Sequence, residues 1–140
     1  MIVLDTNVLS EIAKPDMDVR VRIWVASQAM QHLFTTAVTL AEVTFGIAIM
    51  PDGVRKTSLN TRTDEIFRRV FSSRILPFDE TAARAYGRIV AAARAKGRSI
   101  LMADGQIASI AQSSGFTVAT RDTAPFEAAG VPVINPWNVA

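Results

Sequence analysis

The stretch Ile2-Val3-Leu4-Asp5-Thr6-Asn7 decides how the rest of the chain is read. Its apolar run is too brief for a helix and rich in aliphatic residues, and it ends on an acid followed by residues that favour caps and turns. It therefore predicts a buried strand over 2–5 that turns into a helix over 7–14, stopped by Pro15. The same grammar recurs along the chain. Asp18 is placed to cap a helix carrying Val21, Trp24 and Val25 on one face. Residues 32–36 read as a strand, and Thr39 opens a helix that ends before Pro51-Asp52-Gly53. Residues 54–71 form a polar helical stretch with Leu59, Ile66, Phe67 and Val70 as its apolar side. A short strand over 74–78 leads to a helix over 79–96 closed by Gly97, and a helix over 102–113 is ended by Gly115. Residues 116–119 are a strand, and 131–134 a last one whose flanking Pro132 and Pro136 suit a sheet edge. Short apolar strands alternating with helices predict an α/β fold, a short, mostly parallel sheet flanked by helices on both faces, with residues 1–140 as a single domain.

Composition narrows the chemistry. The 140 residues include no cysteine and one histidine. That excludes disulfides, thiol nucleophiles and cysteine zinc sites, and leaves too little nitrogen for a histidine metal cage. The net charge of +2 conceals a partition: residues 1–50 carry 3 basic and 5 acidic groups, 51–100 carry 11 and 5, and 101–140 carry 1 and 3. Arg62, Arg68, Arg69, Arg84, Arg88 and Arg94 are either solvated helix faces or a flank that attracts a polyanion toward acidic ends of the chain. The N-terminal stretch has no basic leader and reads as a strand rather than a signal peptide. No run approaches the roughly 18 apolar residues of a membrane span, so a soluble, cytoplasmic protein is expected.

In a parallel sheet, ligands bind outside the carboxyl ends of the strands. Four acids fall there: Asp5 at the end of the first strand, Glu42 in the first turn of the helix after the second, Asp104 early in the helix over 102–113, and Asp122 after the strand over 116–119. Each also fits a local role. Asp5 and Asp122 suit helix N-caps, Thr39-x-x-Glu42 has capping-box spacing, and Asp104 near a helix start gains about 0.3–1 kcal/mol from the macrodipole. Four unrelated caps would be scattered around the rim, whereas these positions share one edge. Converging carboxylates need a cation or shared protons, and oxygen-only ligands select Mg²⁺ or Mn²⁺ over zinc. Such a site points to a metal-dependent phosphodiesterase.

Asp5-Thr6-Asn7, Glu42 in its Thr-x-Ala-Glu context, Ala103-Asp104-x-x-Ile107-Ala108 and Thr120-Arg121-Asp122 resemble, in order and spacing, the acidic motifs of the PIN domain. Ile75-Leu76-Pro77-Phe78-Asp79 and Ile134-Asn135-Pro136-Trp137 extend the resemblance over nearly the whole chain, toward the VapC and FitB toxins of type II toxin–antitoxin pairs. The resemblance implies a three-layer α/β/α fold, Mg²⁺-dependent RNA cleavage, a homodimeric toxin, and a cognate antitoxin that occludes the site; no recognition-helix motif is evident, so DNA would be bound only through that partner. It makes Asp5 and Asp104 the main metal ligands, with Glu42 and Asp122 completing the pocket directly or through water. Thr6, Asn7 and Thr120 would hold the acids by hydrogen bonds, though local capping explains them nearly as well. Gly105 departs from the family's usual Ala and is expected to weaken its helix by up to about 1 kcal/mol.

A second reading makes the chain a non-catalytic binding module whose acidic pocket docks a basic residue of a partner. A haloacid-dehalogenase-like phosphatase is disfavoured because Asn7 stands where its second acid belongs. His32 has no Ser or Cys signature near it and reads as structural. Trp24 reads as core, and Trp137 packs on the sheet or on a partner. Phe45, Ile47 and Met50 belong either to the core or to an exposed groove that receives the antitoxin. No Gly-rich phosphate loop is present.

Overall fold

A computed structural model describes residues 1–139. Strands β1 (Ile2–Leu4), β2 (Leu33–Thr36), β3 (Ile75–Leu76), β4 (Thr117–Ala119) and β5 (Val133–Ile134) form one sheet in the order β3-β2-β1-β4-β5, every pairing parallel. The helices are α1 (Thr6–Ile12), α2 (Val19–Ala26), α3 (Ala37–Ala48), α4 (Val54–Glu65), α5 (Glu80–Ala95), α6 (Met102–Ser114) and α7 (Ala124–Ala128). The expected parallel sheet between helical layers is what the chain forms.

The two-residue period of the strands sorts side chains onto two cores. On one face, Val3, Phe34, Val118 and Val133 meet Ala85, Ile89 and Ala93 of α5, Ile107, Ala108 and Ala111 of α6, and Phe126 of α7. On the other, Leu4, Leu33 and Ala119 meet Val8 and Leu9 of α1, Val21 and Trp24 of α2, and Phe67, Phe71 and Trp137. Burying each of these larger side chains contributes about 1.5–3 kcal/mol.

The topology also places a crevice. From β1 the chain moves outward to β2 and β3, then returns to β4 on the far side of β1. α1 covers one face and α7 the other. The order thus reverses between β1 and β4, where a parallel sheet opens a binding crevice. Because Leu4 pairs with Ala119, the next residues, Asp5 and Thr120, lie side by side at that crevice, and the Asp5 amide continues the ladder onto the Ala119 carbonyl at 3.0 Å.

Several expectations need correction. The strand expected from residue 32 starts at Leu33, because His32 belongs to an exposed 3₁₀ turn, Met30–His32. α3 is capped by Thr36, whose Oγ1 accepts the Thr39 amide at 3.0 Å, so Thr39 and Glu42 form no capping box and Glu42 sits in the second turn. α4 continues as a π-helical turn, Ile66–Val70, that brings both Phe67 and Phe71 into the core. α7, five residues long with a proline in its first turn, is foreshadowed only by the capping role of Asp122, and its N-cap is Thr123 instead. Gly105 does more than weaken α6: a Cβ there would lie 2.8 Å from Tyr86 Cε2 and 3.1 Å from Val90 Cγ2, so the glycine admits the close approach of α5.

Candidate active site at the carboxyl edge of the sheet

Asp5 is 4% exposed and is held at both oxygens. Oδ1 accepts the Thr6 amide at 2.7 Å, and Oδ2 accepts the Thr120 hydroxyl at 2.8 Å and Asn7 Nδ2 at 3.3 Å. Asp5 is therefore the cap of α1 and a strand-end acid at once, and its two readings are not alternatives. Asn7 Nδ2 also reaches Thr120 Oγ1 at 3.1 Å, and that oxygen accepts the Asp122 amide at 3.1 Å. Residues more than a hundred positions apart are thus joined through two side chains.

Glu42 arrives from α3, one turn beyond Thr39. Its Oε1 accepts the Thr6 hydroxyl at 2.6 Å, and Thr6 Oγ1 lies 3.2 Å from Thr39 Oγ1, itself 3.3 Å from Thr36 Oγ1. Thr36 and Thr39, both fully buried, are site residues that sequence reasoning missed. The Thr-x-x-Thr spacing at the predicted end of the second strand was the available signal. Asp104, the third residue of α6, is half-buried and its carboxylate makes no hydrogen bond among the described residues.

The four acids share an electrostatic field. Burial pushes Asp5 up from 3.8 to about 6; hydrogen bonds from Thr120 and Thr6 pull the other way, and Asp104 and Glu42 push it further up. Asp104 is raised by burial, then by Asp122 and Glu42. The neighbouring acids thus make Asp5 and Asp104 harder to ionise, a penalty that a bound cation removes. Among the described residues no three His, Cys, Asp or Glu side chains are gathered closely enough to hold an ion by themselves. Mg²⁺ fits that arrangement, since it keeps several waters and takes one or two carboxylates. Oxygen donors without nitrogen or sulfur fit the same ion.

Beside Thr6 and Glu42 opens a cavity of about 900 Å³, lined by Val43 and Ile47 of α3, by Met50 just beyond that helix, by Leu59 of α4, and by Arg55 and Arg62. Ile47 is buried and Met50 half-buried along it, whereas Phe45 is 66% exposed and not part of the lining. Of the six arginines singled out in the central segment, Arg62 alone lines this cavity. Arg68, Arg69, Arg84, Arg88 and Arg94 are exposed, and Arg84 pairs with Glu80 at 3.4 Å. Trp24 is core, and Trp137 packs on the sheet. No helix of the described residues is long and apolar enough to cross a membrane.

Residues 2–131 match the family model of the PIN domain. Over the full length of both chains the sequence is 47% identical to the VapC ribonuclease Y4jK of Sinorhizobium fredii. It is 43% identical to the toxin FitB of Neisseria gonorrhoeae, over 99% of each chain. Superposition on the solved structure of FitAB bound to the IR36 DNA fragment gives a TM-score of 0.93 at 42% identity, covering 100% of this chain and 98% of that one.

Proposed function

Because the chain belongs to the PIN-domain family, in the branch of the VapC and FitB toxins, we propose that it is a Mg²⁺-dependent endoribonuclease and the toxin of a type II toxin–antitoxin pair. The observation that supports this reading is the electrostatic coupling of the four acids: Asp104 and Glu42 both act on Asp5 at the end of β1, and Asp122 and Glu42 both act on Asp104. Asp5 and Asp104 would hold the cation, with Glu42 and Asp122 completing its surroundings directly or through water; Mn²⁺ has the same ligand preference. When bound, the cation supplies Lewis acidity, offsetting charge on the phosphodiester and easing deprotonation of water.

The chain's own contribution is placement. Thr6, Asn7 and Thr120 fix both oxygens of Asp5, and Thr6 fixes Glu42, so the acids need little reordering when substrate arrives. Arg55 and Arg62 line the cavity that also holds Glu42, suited to RNA phosphates and to a salt-dependent, largely sequence-neutral affinity. The apolar floor of the same cavity suits a segment of the cognate antitoxin. FitB's presence in a complex with FitA on DNA supports that partner, and supports DNA contact made through it. A homodimer and a cytoplasmic location complete the proposal.

Purified protein incubated with RNA decides the reading: cleavage is expected with Mg²⁺ and not with EDTA, and persistence in EDTA or in Asp5→Asn would refute the mechanism. The loose spacing of the acids favours, as a second reading, a non-catalytic module that docks a basic residue of a partner. Calorimetry showing tight partner binding without any Mg²⁺ or Mn²⁺ uptake would select it.

A further inference from the structure

We propose that Arg121 is a positioning residue: clamped between Trp137 and Glu11, it holds the turn after β4 so that Thr120 and Asp122 face Asp5. The proposal rests on reading the acid crevice as the nuclease site. Arg121 stands between two site residues, yet its guanidinium is engaged elsewhere. Its Cζ lies 4.0 Å from the centroid of the Trp137 ring, and Nη2 lies 3.8 Å from Glu11 Oε1. Both anchors are fixed. Trp137 and Glu11 are each 6% exposed, and Trp137 belongs to the aromatic core under the sheet. Glu11 also accepts the Asp18 amide at 3.1 Å and Lys14 Nζ at 3.2 Å, which ties it to the entry of α2.

The third hold is on the backbone. The Arg121 amide donates to Asn7 Oδ1 at 3.1 Å, and the other end of that Asn7 amide touches Asp5 and Thr120. Residue 121 is therefore pinned at its ring-stacked end, its ion-paired end and its backbone. On either side of it, Thr120 Oγ1 donates to Asp5 Oδ2 and accepts the Asp122 amide. A guanidinium suits this task because its plane stacks on an indole while its edge reaches a carboxylate. Buried Glu11 already pairs with Lys14, and Arg121 adds a second cation on the same oxygen, from the side facing the turn after β4. The C-terminal segment thus reaches the active site without contributing a reacting group.

The test compares Arg121→Ala, Arg121→Lys and Glu11→Gln in two measurements on the full chain. In amide hydrogen exchange of the cation-free protein, Arg121→Ala should speed exchange at the Arg121 and Asp122 amides about tenfold, with Ile107–Ala111 of α6 unchanged. In RNA cleavage with Mg²⁺, the same variant should lower kcat about 10- to 100-fold with KM nearly constant. Arg121→Lys should recover only part of both, because an ammonium keeps the charge for Glu11 but has no plane to stack on the Trp137 ring at the same time; Glu11→Gln should move both in the direction of Arg121→Ala, by less. Unchanged exchange at 121 and 122 overturns the proposal. So does a loss confined to KM and abolished by salt, which would make Arg121 a phosphate contact. Failure of the wild-type chain to cleave any RNA refutes the nuclease reading instead, and the exchange result then upholds or overturns the clamp alone.

Discussion

The two sides of the acid crevice are built by different means. On the β1–β4 side, Asp5 is held by an amide, a hydroxyl and a carboxamide, and its neighbours Thr120 and Asn7 are bonded to each other. On the α6 side, Asp104 has no hydrogen bond among the described residues and is placed by its helix, which packs against α5 through the missing side chain of Gly105. One acid is aimed by a polar network, the other by how closely two helix backbones approach. Substitutions that change hydrogen bonding should therefore hurt one side, and substitutions that change volume the other.

The largest effect tests what the sides share. Asp5→Asn and Asp104→Asn should each reduce RNA cleavage about a thousandfold or more, since each removes a charge that would hold the cation. If either variant keeps a tenth of wild-type activity, the two sides do not serve one site.

The next effect isolates the Asp5 side by comparing wild type with Asp5→Asn across pH. With a folded-state pKa near 6 against an ordinary 3.8, Asp5 binds its proton more tightly in the folded chain. Its contribution to stability is complete below the ordinary value and is lost as pH rises through 6, a change of about 2 kcal/mol between pH 4 and pH 8. Urea unfolding in EDTA should show this loss for wild type relative to Asp5→Asn, and saturating Mg²⁺ should reverse it. A constant difference between the two proteins across that range would mean that the network, and not burial, sets the ionisation of Asp5.

Thr120→Val comes third. It removes the hydroxyl shared by Asp5, Asn7 and the Asp122 amide, and should lower kcat about 10- to 100-fold, with Thr120→Ser near wild type. An inactive Thr120→Ser would point to packing of the methyl group instead. The smallest effect belongs to the other side. Gly105→Ala gains helix propensity but drives a methyl against the Tyr86 ring and Val90, for a net loss of about 1 kcal/mol in thermal unfolding. Relief by Tyr86→Leu in the same chain is expected; a variant more stable than wild type would show that α5 yields freely and that Asp104 is not placed by this contact.

Much of this was legible in the sequence, for reasons that also explain what was not. Strand period, helix stops such as Gly115 and the alternation of elements are local signals, and they sufficed for a parallel sheet and for putting the acids on its carboxyl edge. Cap assignment at α3 failed because Thr36 and Thr39 are both competent caps. The choice between them depends on where β2 stops, which is set by pairing with β1 and β3. α7 escaped because five residues carry too little periodicity to register. The Arg121, Trp137 and Glu11 contacts join three separate parts of the chain, and only the folded sheet brings them together.

The sheet has one further consequence, for what the molecule avoids. Its outer strands, β3 and β5, are two residues each, and Pro132 immediately precedes β5. Neither offers a run of open backbone groups long enough for another strand to add on. The chain is thereby protected from fibre-like growth through its sheet edges, and the faces it leaves open to association are helical.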